Sequence, residues 1–109
     1  DLLLPRTNNY LRNYVDDAFR THQMVPRVVA EIESSVTLAS AIASGVGATV
    51  LPASAAHSVA TSIPSQICRI VSPTIEVPLA ICTSDHLPLS EPAQAVRIIV
   101  LELVEDLNP

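Results

Sequence analysis

Positions 11, 14, 15, 18 and 19 carry Leu, Tyr, Val, Ala and Phe, the i, i+3, i+4, i+7, i+8 series of one helical face. Arg12, Asn13, Asp16, Asp17 and Arg20 take the opposite face. The spacing predicts an amphipathic helix from Asn9 to His22, capped by Asn8 or Asn9 and stopped before Pro26. Before it, Leu2-Leu3-Leu4 is an unbroken apolar run ended by Pro5, the pattern of a fully buried strand. After it, Arg27 to Ile32 is a β-branched run of strand length, and Ser34 and Ser35 stand ready to cap a second helix that reaches Ser44. The body of that helix, Val36 to Ala43, is mostly small and apolar, which suits close packing on a sheet. Gly45 falls where a helix end takes a left-handed residue, and Ala48 to Leu51 reads as a third strand ended by Pro52. Strand, helix, strand, helix, strand with short connections predicts a parallel α/β sheet.

The second half is less regular. A short helix opened by Ser54 is expected to reach Ala60, followed by a turn-like stretch around Pro64. Cys68 to Val71 reads as an edge strand, and Ile75 to Thr83, which contains Pro78, as an irregular or edge strand. Ser90 opens the final helix, whose stripe of Val96, Ile99, Val100, Leu103, Val104 and Leu107 is widened by Ile98 and Leu101 until it needs a partner surface.

Hydrophobic residues make up 49% of the 109 positions against 16% charged, which excludes a disordered chain and supplies one domain rather than two. Eleven acidic residues outweigh six basic ones, all arginine, for a net charge of -5, so the chain lacks the positive field that drives binding to nucleic acid phosphates. Charges interrupt every apolar run well short of a membrane span, and a soluble chain is expected. Cys68 and Cys82, far from each other and from the histidines, fit small buried thiols in a reducing compartment better than a disulfide. The chain opens at Asp1 without Met or a signal sequence, as a piece of a longer protein would.

Catalytic chemistry finds little support. No Gly-x-Ser-x-Gly elbow accompanies Ser54, Ser58, His57, His22 and Asp85, and His57 is expected at the surface or half-buried. The three histidines and two cysteines lack paired metal-ligand spacing, so neither a metal nor another cofactor is expected. Gly45 and Gly47 follow a helix and precede a strand, the reverse of a phosphate loop, and mark a turn. The acidic pairs, Asp16 with Asp17 and Glu31 with Glu33 among them, read as solvated faces. The informative segments lie past the strand ends, where hydroxyls and free amides meet at helix starts: Arg6, Thr7 and Asn8; Glu33, Ser34, Ser35 and Thr37; Pro52 and Ser54. Three loops converging on one pocket would explain them, and plain helix capping would explain Asn8, Ser34 and Ser54 equally well.

Arg27-Val28-Val29-Ala30-Glu31-Ile32-Glu33-Ser34, Thr37-Leu38 and Ala41-Ile42-Ala43-Ser44-Gly45-Val46-Gly47-Ala48-Thr49-Val50-Leu51-Pro52 closely resemble the effector-binding domain of LysR-type transcriptional regulators. The resemblance runs through essentially the whole chain, and the family pattern is specific in the Ala-Ile-Ala-Ser-Gly-Val-Gly stretch. It implies one three-layer, parallel-sheet lobe of the type II periplasmic-binding-protein-like fold, with a C-terminal crossover strand and helix. Residues 1–75 would form the second lobe, and residues 76–109 the crossover segment and the helix returning to the first lobe. It also implies a non-enzymatic cytoplasmic regulator, a homodimer or tetramer. A small-molecule effector would sit in the cleft at Arg6, Thr7, Asn8, Glu33, Ser34, Ser35, Thr37, Pro52 and Ser54. DNA would be touched only through an N-terminal helix-turn-helix outside this chain, and no membrane is involved. The rival expectation is one lobe of a transport-type solute-binding protein, which shares the fold.

Overall fold

The computed structural model describes residues 1–107. The chain divides into two compact units, Asp1–Pro78 and Leu79–Pro109. The first is built on β1 (Leu2–Leu4), α1 (Tyr10–Thr21), β2 (Val28–Glu31), α2 (Ser35–Ala43) and α3 (Ala53–Ser62). The second holds α4 (Glu91–Leu107). Among the described residues, no helix is long and apolar enough to cross a membrane.

β1 is the hinge of the first unit's core. It pairs in parallel with β2, Leu3 opposite Ala30 and Leu4 opposite Glu31, and Leu2 forms a single parallel bridge to Ala48 on its other flank. Flanked on both sides, Leu3 and Leu4 are buried, which is what the unbroken apolar run predicts. On α1, Val15 is fully buried, and Leu11, Tyr14, Ala18 and Phe19 on the same helical face are half-buried. Leu38 from α2 completes the buried apolar set among the described residues. Two parallel strands cannot be joined by a tight turn, and α1 is the crossover that links them.

Local capping follows the sequence closely. Asn9 caps α1, its Oδ1 accepting from the Leu11 amide at 2.9 Å, and Ser34 caps α2, its Oγ accepting from the Thr37 amide at 3.3 Å. Gly45 takes φ +73° just past Ser44, the left-handed turn that ends α2. Ser54 does not cap α3: the helix begins at Ala53, Pro52 is its cap residue without a side-chain bond, and Ser54 lies inside the first turn.

The expected three-stranded sheet is a two-stranded one with a lone bridge. At the third strand, Ala48 exchanges backbone bonds with β1, its oxygen accepting from the Leu3 amide at 2.8 Å and its amide donating to Asp1 at 3.0 Å. Beyond that bridge the Thr49 hydroxyl donates to the Leu3 carbonyl at 2.6 Å, and no further rung joins this segment to β1 among the described residues. Cys68 to Val71 and Ile75 to Thr83 form no strand, so the C-terminal crossover strand is absent from the described residues. Pro64, Pro73, Pro78 and Pro88 remove amide donors along this stretch, and a ladder has little to build on. Cys68 and Cys82 sit in it as free, exposed thiols rather than buried ones, because no element covers them.

α4 starts after Ser90 as the sequence predicts, with Ser90 Oγ accepting from the Ala93 amide at 3.4 Å. Its apolar residues from Val96 to Val104, including Ile98, Ile99 and Leu103, are exposed. The side chain of Leu107, last of the predicted stripe, and Asn108 and Pro109 of the expected C-terminal segment lie outside the described residues.

The two glycines separate two kinds of constraint. A Cβ on Gly47 would stand 2.9 Å from the Asp1 carbonyl oxygen, backbone that cannot yield without disturbing the β1 bridge. At Gly45 there is open space, and only the positive φ resists a side chain. Gly47→Ala is therefore expected to cost about 1–3 kcal/mol, and Gly45→Ala about 1 kcal/mol. Thermal unfolding of the two variants checks the order, and equal losses would contradict the close approach at Gly47.

Candidate functional site

All β-strand pairs in the first unit are parallel, so the β1–α1 loop, the β2–α2 loop and the segment 49–52 leave the sheet at its carboxyl end. The structure joins the first two directly. Glu33 Oε1 accepts from the Arg6 backbone amide at 2.8 Å, and Glu33 Oε2 from Asn9 Nδ2 at 3.5 Å. The Arg6 guanidinium is exposed and forms no ion pair among the described residues. Thr7, Asn8 and Ser35 are exposed beside these groups in sequence, and Thr37 is exposed on the first turn of α2. Pro52 and Ser54 make no hydrogen bond to either loop among the described residues; the Pro52 carbonyl instead starts α3 by accepting from Ala56 at 2.9 Å.

Below the loop lies a charge that periodicity assigns to solvent. Arg12, on the polar face of α1, is buried, its side chain only 10% exposed. Its Nε donates to both carboxylate oxygens of Asp16 at 3.0 Å. Its Nη1 donates to the Pro5 carbonyl at 2.8 Å and to Glu31 Oε1 at 3.1 Å. The hydrogen bond that Arg12 donates to Asp16 is the largest influence and raises the guanidinium pKa above its ordinary value; burial opposes it, and Glu31 adds to the rise. Arg12 is charged at every working pH.

The acidic pair Glu31 and Glu33 is thus not a solvated face without partners. The two residues stand two apart on an extended segment, which puts them on one side, and each takes a donor from the β1–α1 region. The sequence signal for part of this is an arginine on the polar face of α1 together with two acids at strand spacing; the Arg6 amide bond to Glu33, made by backbone, leaves no residue-type signal. Of the residues expected as caps, Ser34 serves, Asn9 serves in place of Asn8, and Ser54 does not.

Histidine chemistry is spent locally. His57 Nδ1 lies 2.6 Å from the Ala53 carbonyl and His22 Nδ1 3.0 Å from that of Ala18, one turn back in each helix, and His86 pairs with Asp85 at 3.3 Å. Among the described residues, no group of three or more His, Cys, Asp or Glu could hold a metal ion. Open grooves of about 560 Å³ at Ser84, His86, Gln94 and Arg97, and of about 490 Å³ at Asp16, Arg20, Met24 and Val25, are lined by none of the loop residues named above.

The family model described as LysR substrate binding domain matches residues 1–105. The chain belongs to the LysR substrate-binding domain family. Within this LysR domain, residues 41–47 span the end of α2 and the turn into the Ala48 bridge. The protein named Nitrogen assimilation regulatory protein nac from Klebsiella aerogenes is 42% identical over 104 residues, 95% of this chain and 34% of that protein. The protein of the same name from Escherichia coli (strain K12) is 36% identical over 104 residues, with the same shares covered. The LysR domain chain therefore spans about a third of the length of the curated relatives it matches. No solved structure gives a significant match.

Proposed function

We propose that this chain supplies the second lobe (residues 1–75) and the returning C-terminal segment (residues 76–109) of the effector-binding domain of a bacterial LysR-type transcriptional regulator of nitrogen assimilation genes. The observation that carries the reading is the family match over residues 1–105 together with two relatives named for nitrogen assimilation regulation. The protein is a cytoplasmic, non-enzymatic homodimer or tetramer. Its DNA contacts belong to an N-terminal helix-turn-helix outside this chain, in keeping with the chain's net charge of -5. An effector shifts the lobes only by its differential affinity for their open and closed arrangements, and that difference is what reaches the DNA. The names of both relatives disfavour the transport-type solute-binding reading.

The effector contacts in this reading are Arg6, Thr7, Asn8, Glu33, Ser34, Ser35 and Thr37, with Pro52 and Ser54 at the rim. Arg6 supports it best, as an exposed cation at the carboxyl end of a parallel strand with no ion-pair partner among the described residues. The test is thermal unfolding of the full-length regulator against amino acids, nucleotides and small organic anions, where a ligand at a hundred times its Kd adds about 2.7 kcal/mol. Arg6→Gln and Thr37→Val are expected to shrink the ligand-induced rise and leave the unliganded melting temperature in place. A full rise in both variants would remove these residues from the cleft. Silence across the panel would overturn effector sensing and leave an oligomerisation module, for which the exposed apolar side chains of α4 speak.

A further inference from the structure

The Pro5 carbonyl and the Arg6 amide are two ends of one planar peptide group. The Arg12 guanidinium meets the oxygen end at 2.8 Å, and the Glu33 carboxylate meets the N–H end at 2.8 Å. A cation at the oxygen and an anion at the N–H both act along the peptide's own dipole, so each bond polarises the group in favour of the other. The proline ring fixes φ of Pro5, which leaves its ψ and the φ of Arg6 as the soft angles of this connection. A flip of the peptide plane, by rotation about both together, breaks both charged bonds.

The two clamps come from one construction. Glu31 holds Arg12 at 3.1 Å, Glu33 holds the Arg6 amide, and between them the Ile32 amide donates to Leu4 at 2.9 Å, which extends the β1–β2 pairing to the base of the loop. Asp16 fixes Arg12 from its own helix through Nε while Nη1 reaches Pro5 and Glu31. Only a forked side chain can serve these directions at once; a lysine offers one point charge.

We infer that Arg12 is a positioning residue which, with Glu33, clamps the Pro5–Arg6 peptide and so aims the Arg6 side chain. The geometry stands by itself, and its use in effector binding rests on the function proposed above.

Amide hydrogen exchange on the full-length protein, without any ligand, tests the clamp. Arg12→Lys and Arg12→Met are expected to speed exchange at the two bonded loop amides, Arg6 and Asn9, by about tenfold and to leave Leu2 to Leu4 within about twofold of wild type. Glu31→Gln keeps the shape of the acceptor and removes its charge; it is expected to speed the same loop amides by about threefold, and it decides the matter if the Arg12 variants do not fold. Unchanged loop exchange would overturn the clamp. So would equal acceleration of loop and sheet, the result of a merely structural role. If the wild-type protein shows no thermal shift with the ligand panel while the loop amides still lose protection, the effector reading falls and the clamp stands. If the ligand shift is present and Arg12→Lys leaves both it and the loop exchange intact, the clamp falls alone.

Discussion

Leu3→Ala is expected to lower the unfolding free energy by about 2–5 kcal/mol, the range for emptying a well-packed aliphatic site. Leu3 is 0% exposed and sits at the centre of β1, between β2 and the Ala48 bridge. Its surroundings cannot collapse onto a smaller side chain, because β1 is held by backbone bonds on both flanks, including the Leu3 amide to Ala48 at 2.8 Å. The buried apolar set of the described residues is also small, Leu3, Leu4, Val15 and Leu38, so one truncation removes a large part of it. Against a typical domain stability of about 5–15 kcal/mol such a loss is severe. Urea denaturation of the full-length protein measures it, with Val36→Ala as the reference, since Val36 on α2 is 76% exposed and its truncation is expected to cost under about 0.5 kcal/mol. Equal losses would mean that β1 is not the core of this unit.

Glu31→Ala is expected to cost about 1.5–3 kcal/mol and Glu33→Ala less than about 1 kcal/mol, although the two are the same residue type two positions apart. The difference lies in the partner. Glu31 shares with Asp16 the neutralisation of the Arg12 guanidinium, whose side chain is only 10% exposed, and its loss leaves a buried charge with fewer acceptors. Glu33 holds the exposed Arg6 amide and the Asn9 side chain, groups that water satisfies when the carboxylate is gone. Denaturant midpoints compared at constant m-value read the contrast directly. A larger loss for Glu33→Ala would show that the loop, rather than Arg12, carries the stability of this corner.

α1, the caps at Asn9 and Ser34, and the left-handed turn at Gly45 were all legible in the sequence, because each depends on neighbours within a turn of helix. The family was legible too, since the stretches that resemble it, such as residues 41–52, are contiguous in the chain. The loop residues Arg6 and Glu33 could be named as candidates from their place past strand ends, but the bond between them spans 27 positions and has no local signal.

Arg12 marks the boundary most sharply. Helical periodicity puts it among Asn13, Asp16 and Asp17 on the polar face, and a count of hydrophobic positions assigns that face to water. The fold brings Glu31 and the Pro5 carbonyl to it, and a charge with enough acceptors is free to be buried.

The sequence by itself determined the helices, the starts of α1, α2 and α4, the parallel pairing of Leu2–Leu4 with the run after Pro26, and the acidic surface, because propensity, capping and net charge are properties of short segments or of simple sums. Only the tertiary structure decided that Ala48 to Leu51 stops at one bridge, that residues 63–90 build no strand, and that two glutamates brace the β1–α1 loop. A strand exists only where a second strand meets it, and an ion pair only where the chain returns its partner, so both are settled by distances that no local pattern records.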